Sequence, residues 1–480
     1  MPRWWQNWLR GRKQAAAARA EQVLRAHRWP GPVLEVLDRL AAGGGQAYLV
    51  GGTVRDALLG RSSGTWDVGT DRTPPEVMER FPHVVPTGLA HGTVMIVEGD
   101  LRVECTTLRR EGAYSDARRP DHVDFTRDPL EDLARRDLTV NALAFDPATG
   151  RLLDPEGGAA DLERRRLRAV GEALDRFRED ALRPVRVARL AAVLQMEPDA
   201  ELQSALAACR APESGVRLEA VSAERVCDEL FKLLAAPRPS IGFEWLRTGG
   251  LLEVWLPELQ RCRGQVQNRF HAYDVYFHSL YSCDAAPADK PVVRWAALLH
   301  DIGKPDTYVE RDGDGTFYDH EIVGAELADR LLARLRVAGE FRTAVVHLVR
   351  EHMFDYRPEW TDAALRRWLR RVGPEHVADL FDLRIADALG NGLRRGFPRA
   401  LLEMRHRIER LLEISRAFEI SDLAVDGNDV MRELGIPSGP PVRAALEALL
   451  EAVLERPELN TRHELLERLM RMREDATPRS

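Results

Sequence analysis

The stretch YLVGGTVRDALLG, Tyr48 to Gly60, decides how the first third of the chain folds. Tyr48-Leu49-Val50 is an apolar strand end. Gly51-Gly52 lets the backbone turn tightly and approach a ligand closely. Thr53 with Asp56 three residues on has the spacing of a capping box, so a helix starts here. Free N–H groups at a helix start, beside Arg55, suit a phosphate. Gly-Gly before a helix is ordinarily only a turn, so the weight falls on what surrounds it. Working outward, short apolar strands are predicted at 48–50, 93–97 and 101–108, with helices between them. In LRVECTTLR the alternation puts Leu101, Val103 and Cys105 on one face and Arg102, Glu104 and Thr106 on the other.

Three further blocks follow in order: TWDVGTDRTPPEV (65–77), EDLARRDLTVNALAFD (131–146) and REDALRPVRVARLAA (178–192). With the first stretch they resemble the bacterial tRNA nucleotidyltransferase and poly(A) polymerase family. The resemblance implies an α+β chain: a polymerase-β-type nucleotidyltransferase head, then an all-helical neck and tail. It implies addition of C and/or A from CTP and ATP to the 3′ end of tRNA, without a template.

The site residues implied follow motif by motif. Gly51, Gly52 and Arg55 would hold the triphosphate, and Arg136, Asp137 and Asn141 would bind phosphate and ribose. Asp180 and Arg183 would read the base edge from one helix face, with Arg186 and Arg189 continuing that face toward phosphate. Pro184, unwelcome inside a helix, predicts a bend there. EGAYSDARRPDHV resembles the family's flexible loop, which leans against an enzyme adding only two cytidines.

One position departs from the pattern. The family's metal motif is Asp-x-Asp, and this chain reads Thr65-Trp66-Asp67. Phosphoryl transfer of this kind uses divalent cations held by hard oxygen ligands. The resemblance implies Asp67 and, on a neighbouring strand, Glu104 as the catalytic and Mg²⁺-binding pair, and a threonine hydroxyl is a poor substitute for the missing carboxylate. Either transfer is impaired, or a group such as Asp71 compensates, or the head binds without chemistry.

A second site lies downstream. VVRWAALLHDIGKPD (292–306) places His300 and Asp301 at the end of an apolar helix and resembles the HD phosphohydrolase superfamily. His278 and Asp387 supply the outer members of its pattern. His320 and His352 fall where two-metal HD proteins carry extra ligands, and His347 is a nearby decoy. Such ligands suit a divalent transition metal or Mg²⁺. The alternative reading is thus a metal-dependent phosphohydrolase or phosphodiesterase whose degenerate head binds nucleotide or RNA. A third is a tRNA-binding protein in which neither site turns over.

The chain's 480 residues suit several domains, and 44% hydrophobic content suits a globular protein without a membrane span. Five cysteines without a CxxC pair fit a reducing cytoplasm. The net charge of −7 does not advertise RNA binding, but arginines cluster beside the nucleotide motifs, where they can steer RNA phosphates. The expected division is a basic, tryptophan-rich extension (1–30) that frays, the head (31–150), a helical neck (151–245), an HD domain (255–395) and a helical tail (396–480). Neck and tail are expected to contact tRNA.

Overall fold

The computed structural model describes residues 3–62, 64–111, 123–269, 271–311, 314–393, 399–414 and 419–476. The expected flexible loop falls almost wholly outside them. The chain is α+β and divides into two compact units. The first comprises residues 1–260 with 334–337, and the second comprises 261–333 with 338–480.

The first unit is built on a seven-stranded sheet. Its strands are β1 (Ala47–Val50), β2 (Trp66–Thr70), β3 (Val84–Gly88), β4 (Thr93–Glu98), β5 (Leu101–Thr107), β8 (Ala144–Asp146) and β9 (Arg151–Leu153). Between β5 and β8, β6 (Arg109–Glu111) and β7 (Val123–Phe125) form a separate antiparallel pair. The order across the sheet is β3-β4-β5-β2-β1-β8-β9. Among the described strands of this sheet only β2 and β5 run parallel, with Asp67 directly beside Glu104. Alternation on β5 is as read from sequence: Val103 and Cys105 are buried, while Arg102 and Glu104 are exposed. Val50, Leu133, Ala142, Ala144 and Val170 form a hydrophobic cluster that fixes the end of β1, and hence the glycine turn, against the 131–146 block.

Two local expectations are corrected. Thr53 does not cap the helix Gly52–Leu58; Gly51 occupies the cap, at φ 60°. The buried Thr53 hydroxyl instead accepts the Asp67 amide at 2.8 Å and so ties this helix to β2. Asp180 and Arg183 do not share a helix either. One helix ends at Glu179 and the next starts at Arg183. Pro184 thus sits in a first turn, where its missing N–H has no partner to lose, and no bend results.

The opening helix Arg3–Ala26 is held in place over its second half. Ala16, Ala20 and Leu24 are buried, and Arg19 pairs with Glu163 at 2.8 Å. Apolar residues at i, i+4 and i+8 explain this docking: they form one stripe on a helix. From Ala173 to Gln260 the unit is almost wholly helical, apart from the two-residue strand Glu197–Pro198.

The second unit is helical around one antiparallel hairpin, Tyr308–Arg311 with Asp314–Phe317, which the sequence reading did not anticipate. The helix Pro291–Leu299 is its buried centre, packed by Trp295, Ala296, Leu298 and Leu299. No described helix is long and apolar enough to cross a membrane.

Candidate functional site

The four sequence blocks meet in one cleft of the first unit, about 1020 Å³ in volume. That lies at the upper end for small-molecule sites. Gly51, Gly52, Arg55, Asp67, Glu104, Arg136, Asp137, Asn141, Asp180, Arg183, Arg186 and Arg189 all line it.

The glycines are there for space. A Cβ on Gly51 would stand 2.6 Å from Arg136 Nη1, and one on Gly52 would stand 3.2 Å from Asp67 Oδ2. A continuous polar chain then joins the blocks. Arg55 pairs with Asp56 at 2.9 Å and donates to Asn141 Oδ1 at 2.6 Å. Asn141 Nδ2 donates to Asp137 Oδ1 at 3.0 Å, and Arg186 Nε donates to Asp137 Oδ2 at 2.8 Å. Burial opposes the Asp137 charge, but Arg186 and these hydrogen bonds outweigh it and hold the carboxyl well below the usual range. Arg136 is set by Asp132 at 3.1 Å and by the Asn141 carbonyl at 3.2 Å.

The base-reading candidates are also held. Both Asp180 oxygens accept from Arg225, at 2.7 and 3.2 Å. Arg183 pairs with Glu179 at 2.7 Å and donates to the Arg135 carbonyl at 3.2 Å. Arg189 pairs with the buried Glu229. Arg225, Arg135 and Lys232 line the cleft but were missed from sequence. Arg225 and Lys232 come from the helix Ala223–Leu234.

Asp67 is perturbed in the opposite sense to Asp137. Burial, then the charge of Glu104, pushes its carboxyl up to about 6. Two carboxylates in adjacent register that repel one another fit a cation between them. Thr65 lines the same wall. Asp71 does not compensate for it. Its carboxylate accepts the Gln46 amide at 2.8 Å and Arg127 Nε at 3.1 Å, away from the cleft lining.

A second constellation lies in the second unit. His278, His300 and Asp301 form one buried ligand group; Asp301, His320 and His352 form another, with the ligand atoms of each group within 4.8 Å of one another. Asp301 belongs to both. Its Oδ2 lies 3.2 Å from His300 Nε2 and 3.4 Å from His278 Nε2, while its Oδ1 lies 3.3 Å from His320 Nε2. Asp387 Oδ1 closes the first group at 3.1 Å from His278 Nε2.

Three imidazoles are oriented alike. His300, His320 and His352 donate Nδ1–H to the carbonyls of Ala297, Phe317 and Val349, at 2.9, 2.7 and 2.7 Å. That leaves each Nε2 lone pair aimed into the cluster, the tautomer a metal needs. His352 is pushed down to about 3 by burial and by the neighbouring His300 and His320. Asp301 is held well below the carboxylate range although burial opposes it, because His300 and Lys304 surround it. A donor set this crowded, with so little charge-neutral space, fits divalent cations, and Asp301 has the geometry of a bridging ligand.

His347 is indeed outside the cluster, bound to the Val372 carbonyl at 2.6 Å. Two neighbours were missed. His271 packs its ring 5.3 Å from that of His278. The buried Lys304 donates to Asp301 Oδ2 and to Gln267 Oε1, both at 2.6 Å.

Comparison with known proteins agrees with this geometry. Residues 47–168 match the Poly A polymerase head domain, and residues 195–262 match a probable RNA and SrmB-binding site of polymerase A. Residues 270–392 match the HD domain. The CCA-adding enzyme of Lactococcus lactis subsp. lactis (strain IL1403) is 34% identical over 88% of this chain and 92% of its own.

The chain belongs to the CCA-adding tRNA nucleotidyltransferase family. Within that family it is equally similar, at 34% over 85% of this chain and 91% of the other, to the A-adding tRNA nucleotidyltransferase of Deinococcus radiodurans. Among solved structures, the Bacillus stearothermophilus CCA-adding enzyme in complex with CTP matches with a TM-score of 0.70. That match has 29% identity and covers 94% of this chain and all of the other. The nucleotidyltransferase and HD families are metal-dependent, which agrees with acids and imidazoles gathered at two separate places.

Proposed function

We propose that this chain is a template-independent nucleotidyltransferase that adds C and/or A, from CTP and ATP, to the 3′ end of tRNA. The observation that carries the reading is the polar chain Arg55–Asn141–Asp137–Arg186, which joins three motif blocks in the cleft that also holds Asp67 and Glu104.

Gly51, Gly52 and Arg55 take the triphosphate, and Arg136 and Asn141 take phosphate and ribose, with Asp137 holding Asn141 and Arg186 in place. Asp180 offers acceptors and Arg183 donors to the Watson–Crick edge of the incoming base. Arg186 and Arg189, fixed by their acidic partners, supply positive potential behind it. Asp67 and Glu104 would hold Mg²⁺, which suits all-oxygen ligands and neutralises charge on the departing pyrophosphate. Thr65 leaves that site one carboxylate short, so transfer is slower than with aspartate there. The neck, 151–245, and the tail, 396–480, grip the acceptor arm. Substituting Asp180 by Ala tests the base assignment: discrimination of CTP and ATP against UTP and GTP falls at least tenfold, and unchanged discrimination refutes it.

The HD site supports a second activity in the same chain, metal-dependent phosphoester hydrolysis. Three Nδ1-tethered histidines around a shared Asp301 favour it. Divalent ions bound there would activate water and polarise the ester. Hydrolysis of bis(p-nitrophenyl) phosphate with Mn²⁺ or Ni²⁺ survives Asp67→Ala and is lost in Asp301→Ala. The reverse pattern rejects the assignment.

A further inference from the structure

The strand that carries Asp67 is held unevenly. Its ladder with β5 pairs Trp66 with Val103 and Asp67 with Glu104. Its ladder with β1 runs from Thr70 opposite Ala47 to Val68 opposite Leu49 and stops short of Asp67. Like charges directly opposite one another on neighbouring strands destabilise the pairing, and ionised Asp67 and Glu104 are such a pair. The end of β2 therefore gains from support outside its ladders.

Trp29 gives that support from behind. Trp66 shares a sheet face with Val68, two residues on, and that face continues across Leu49 of β1 to Phe145 of β8. Asp67 alternates to the opposite face, so this one is the back of the cleft. On it the Trp29 ring meets Trp66 edge-on, with centroids 6.3 Å apart, and lies 5.9 Å from Phe145. Phe145 is fully buried, and both tryptophans are half-buried. Edge-on aromatic pairs add attraction beyond the area they bury.

Trp29 is itself tethered. Its indole Nε1 donates to the carbonyl of the buried Leu24 at 3.2 Å, near the end of the opening helix. That helix is tied to the β9 edge in both directions. Arg25 Nε donates to the Gly150 carbonyl at 2.7 Å, and Glu21 accepts the Leu152 amide at 3.0 Å. It also packs against the helix Gly52–Leu58 that follows the glycine turn. One segment thus backs both the glycine turn and the end of β2.

We infer that the opening segment is a brace for the nucleotide cleft, and that Trp29 is a positioning residue for Asp67, acting through Trp66. Trp29 touches no reacting atom. Its effect is large because Thr65 leaves the cation one carboxylate fewer, so more depends on where Asp67 stands. A misplacement of about 1 Å costs on the order of a hundredfold in rate. This inference rests on the proposed transferase reading.

The test uses the full chain and two readouts. In steady state, Trp29→Ala lowers kcat for CTP incorporation roughly five- to tenfold and raises the half-saturating Mg²⁺ concentration about threefold, while KM for tRNA stays within about twofold. Trp29→Phe keeps an aromatic edge against Trp66 and recovers most of kcat. The second readout needs no turnover. Guanidinium unfolding is followed with and without millimolar Mg²⁺, and the Mg²⁺-dependent rise in midpoint is smaller in Trp29→Ala than in wild type. The histidine cluster of the second unit contributes equally to both proteins. A folded Trp29→Ala with wild-type kcat, Mg²⁺ requirement and midpoint rise overturns the inference, as does a loss confined to KM for tRNA. Should Trp29→Ala fail to fold, Trp66→Leu breaks the same ring contact from the β2 side and is judged by the same criteria. If wild type incorporates nothing, yet Trp29→Ala reduces its Mg²⁺-dependent midpoint rise, the brace stands and the transferase reading fails.

Discussion

Asp67 is placed at a cost to the fold, and that cost can be measured. Its carboxyl titrates at about 6, against 3.8 for the unperturbed group, because it is largely buried and faces Glu104. A shift of about 2 units corresponds to about 3 kcal/mol of opposition to the charged form. The sign follows from linkage. The folded chain keeps this proton up to about pH 6, whereas the unfolded chain releases it near 3.8. Ionised Asp67 therefore destabilises the metal-free fold fully above about pH 6, and the penalty fades as pH falls toward 3.8. Asp67→Asn removes the charge but keeps the shape. After the desolvation of its own amide is counted, the variant gains about 1–2 kcal/mol over wild type at pH 8. Guanidinium unfolding in EDTA at pH 8, 6 and 4.5 reads the difference. The gap closes as pH falls. Millimolar Mg²⁺ then stabilises wild type more than the variant, by the logarithm of its occupancy at the Asp67 site. A variant no more stable at pH 8, or a gap indifferent to pH, refutes the electrostatic reasoning.

Other outcomes follow from the same contacts. Gly51→Ala forces a side chain into φ 60° and against Arg136, and lowers kcat/KM for CTP at least tenfold, read by initial rates. Arg225→Ala frees Asp180 and weakens selection of CTP and ATP over GTP; a competition assay with all four nucleotides checks this. Asp301→Ala removes the shared ligand of both histidine groups and lowers bound divalent metal per chain after loading and desalting, measured by elemental analysis.

Much of the cleft was legible because its parts are strings of adjacent residues with restrictive chemistry. A glycine pair between a strand and a helix is by itself only a turn, but four ordered blocks resembling one family gave it a role, and alternation put Glu104 on the open face. What failed was local inference about partners. Thr53 and Asp56 have capping-box spacing, yet both are engaged otherwise: a tertiary contact, the Asp67 amide, took the hydroxyl, and the adjacent Arg55 took the carboxylate. Asp180 and Arg183 were assigned to one helix because three-residue spacing suggests it, although Pro184 already marked a helix start. Arg225 and Lys232 were not singled out, since a basic residue on an amphipathic helix looks alike whether it faces solvent or a cleft. In the second unit, histidines and aspartates spaced over a hundred residues converge only through packing of the helices that carry them, and only the likeness to a known pattern picked them out. Lys304 and His271 had no such pattern to reveal them.

The central claim is transfer of nucleotides to tRNA by the Asp67 cleft. The measurement that tests it most directly is incorporation of labelled CTP and ATP, with Mg²⁺, into tRNA transcripts ending before C, before the second C, or before A. Wild type, Asp67→Ala and Thr65→Asp are compared. The account predicts extension by wild type on at least one transcript, none by Asp67→Ala, and a faster rate for Thr65→Asp. No extension of any transcript by either wild type or Thr65→Asp would contradict it.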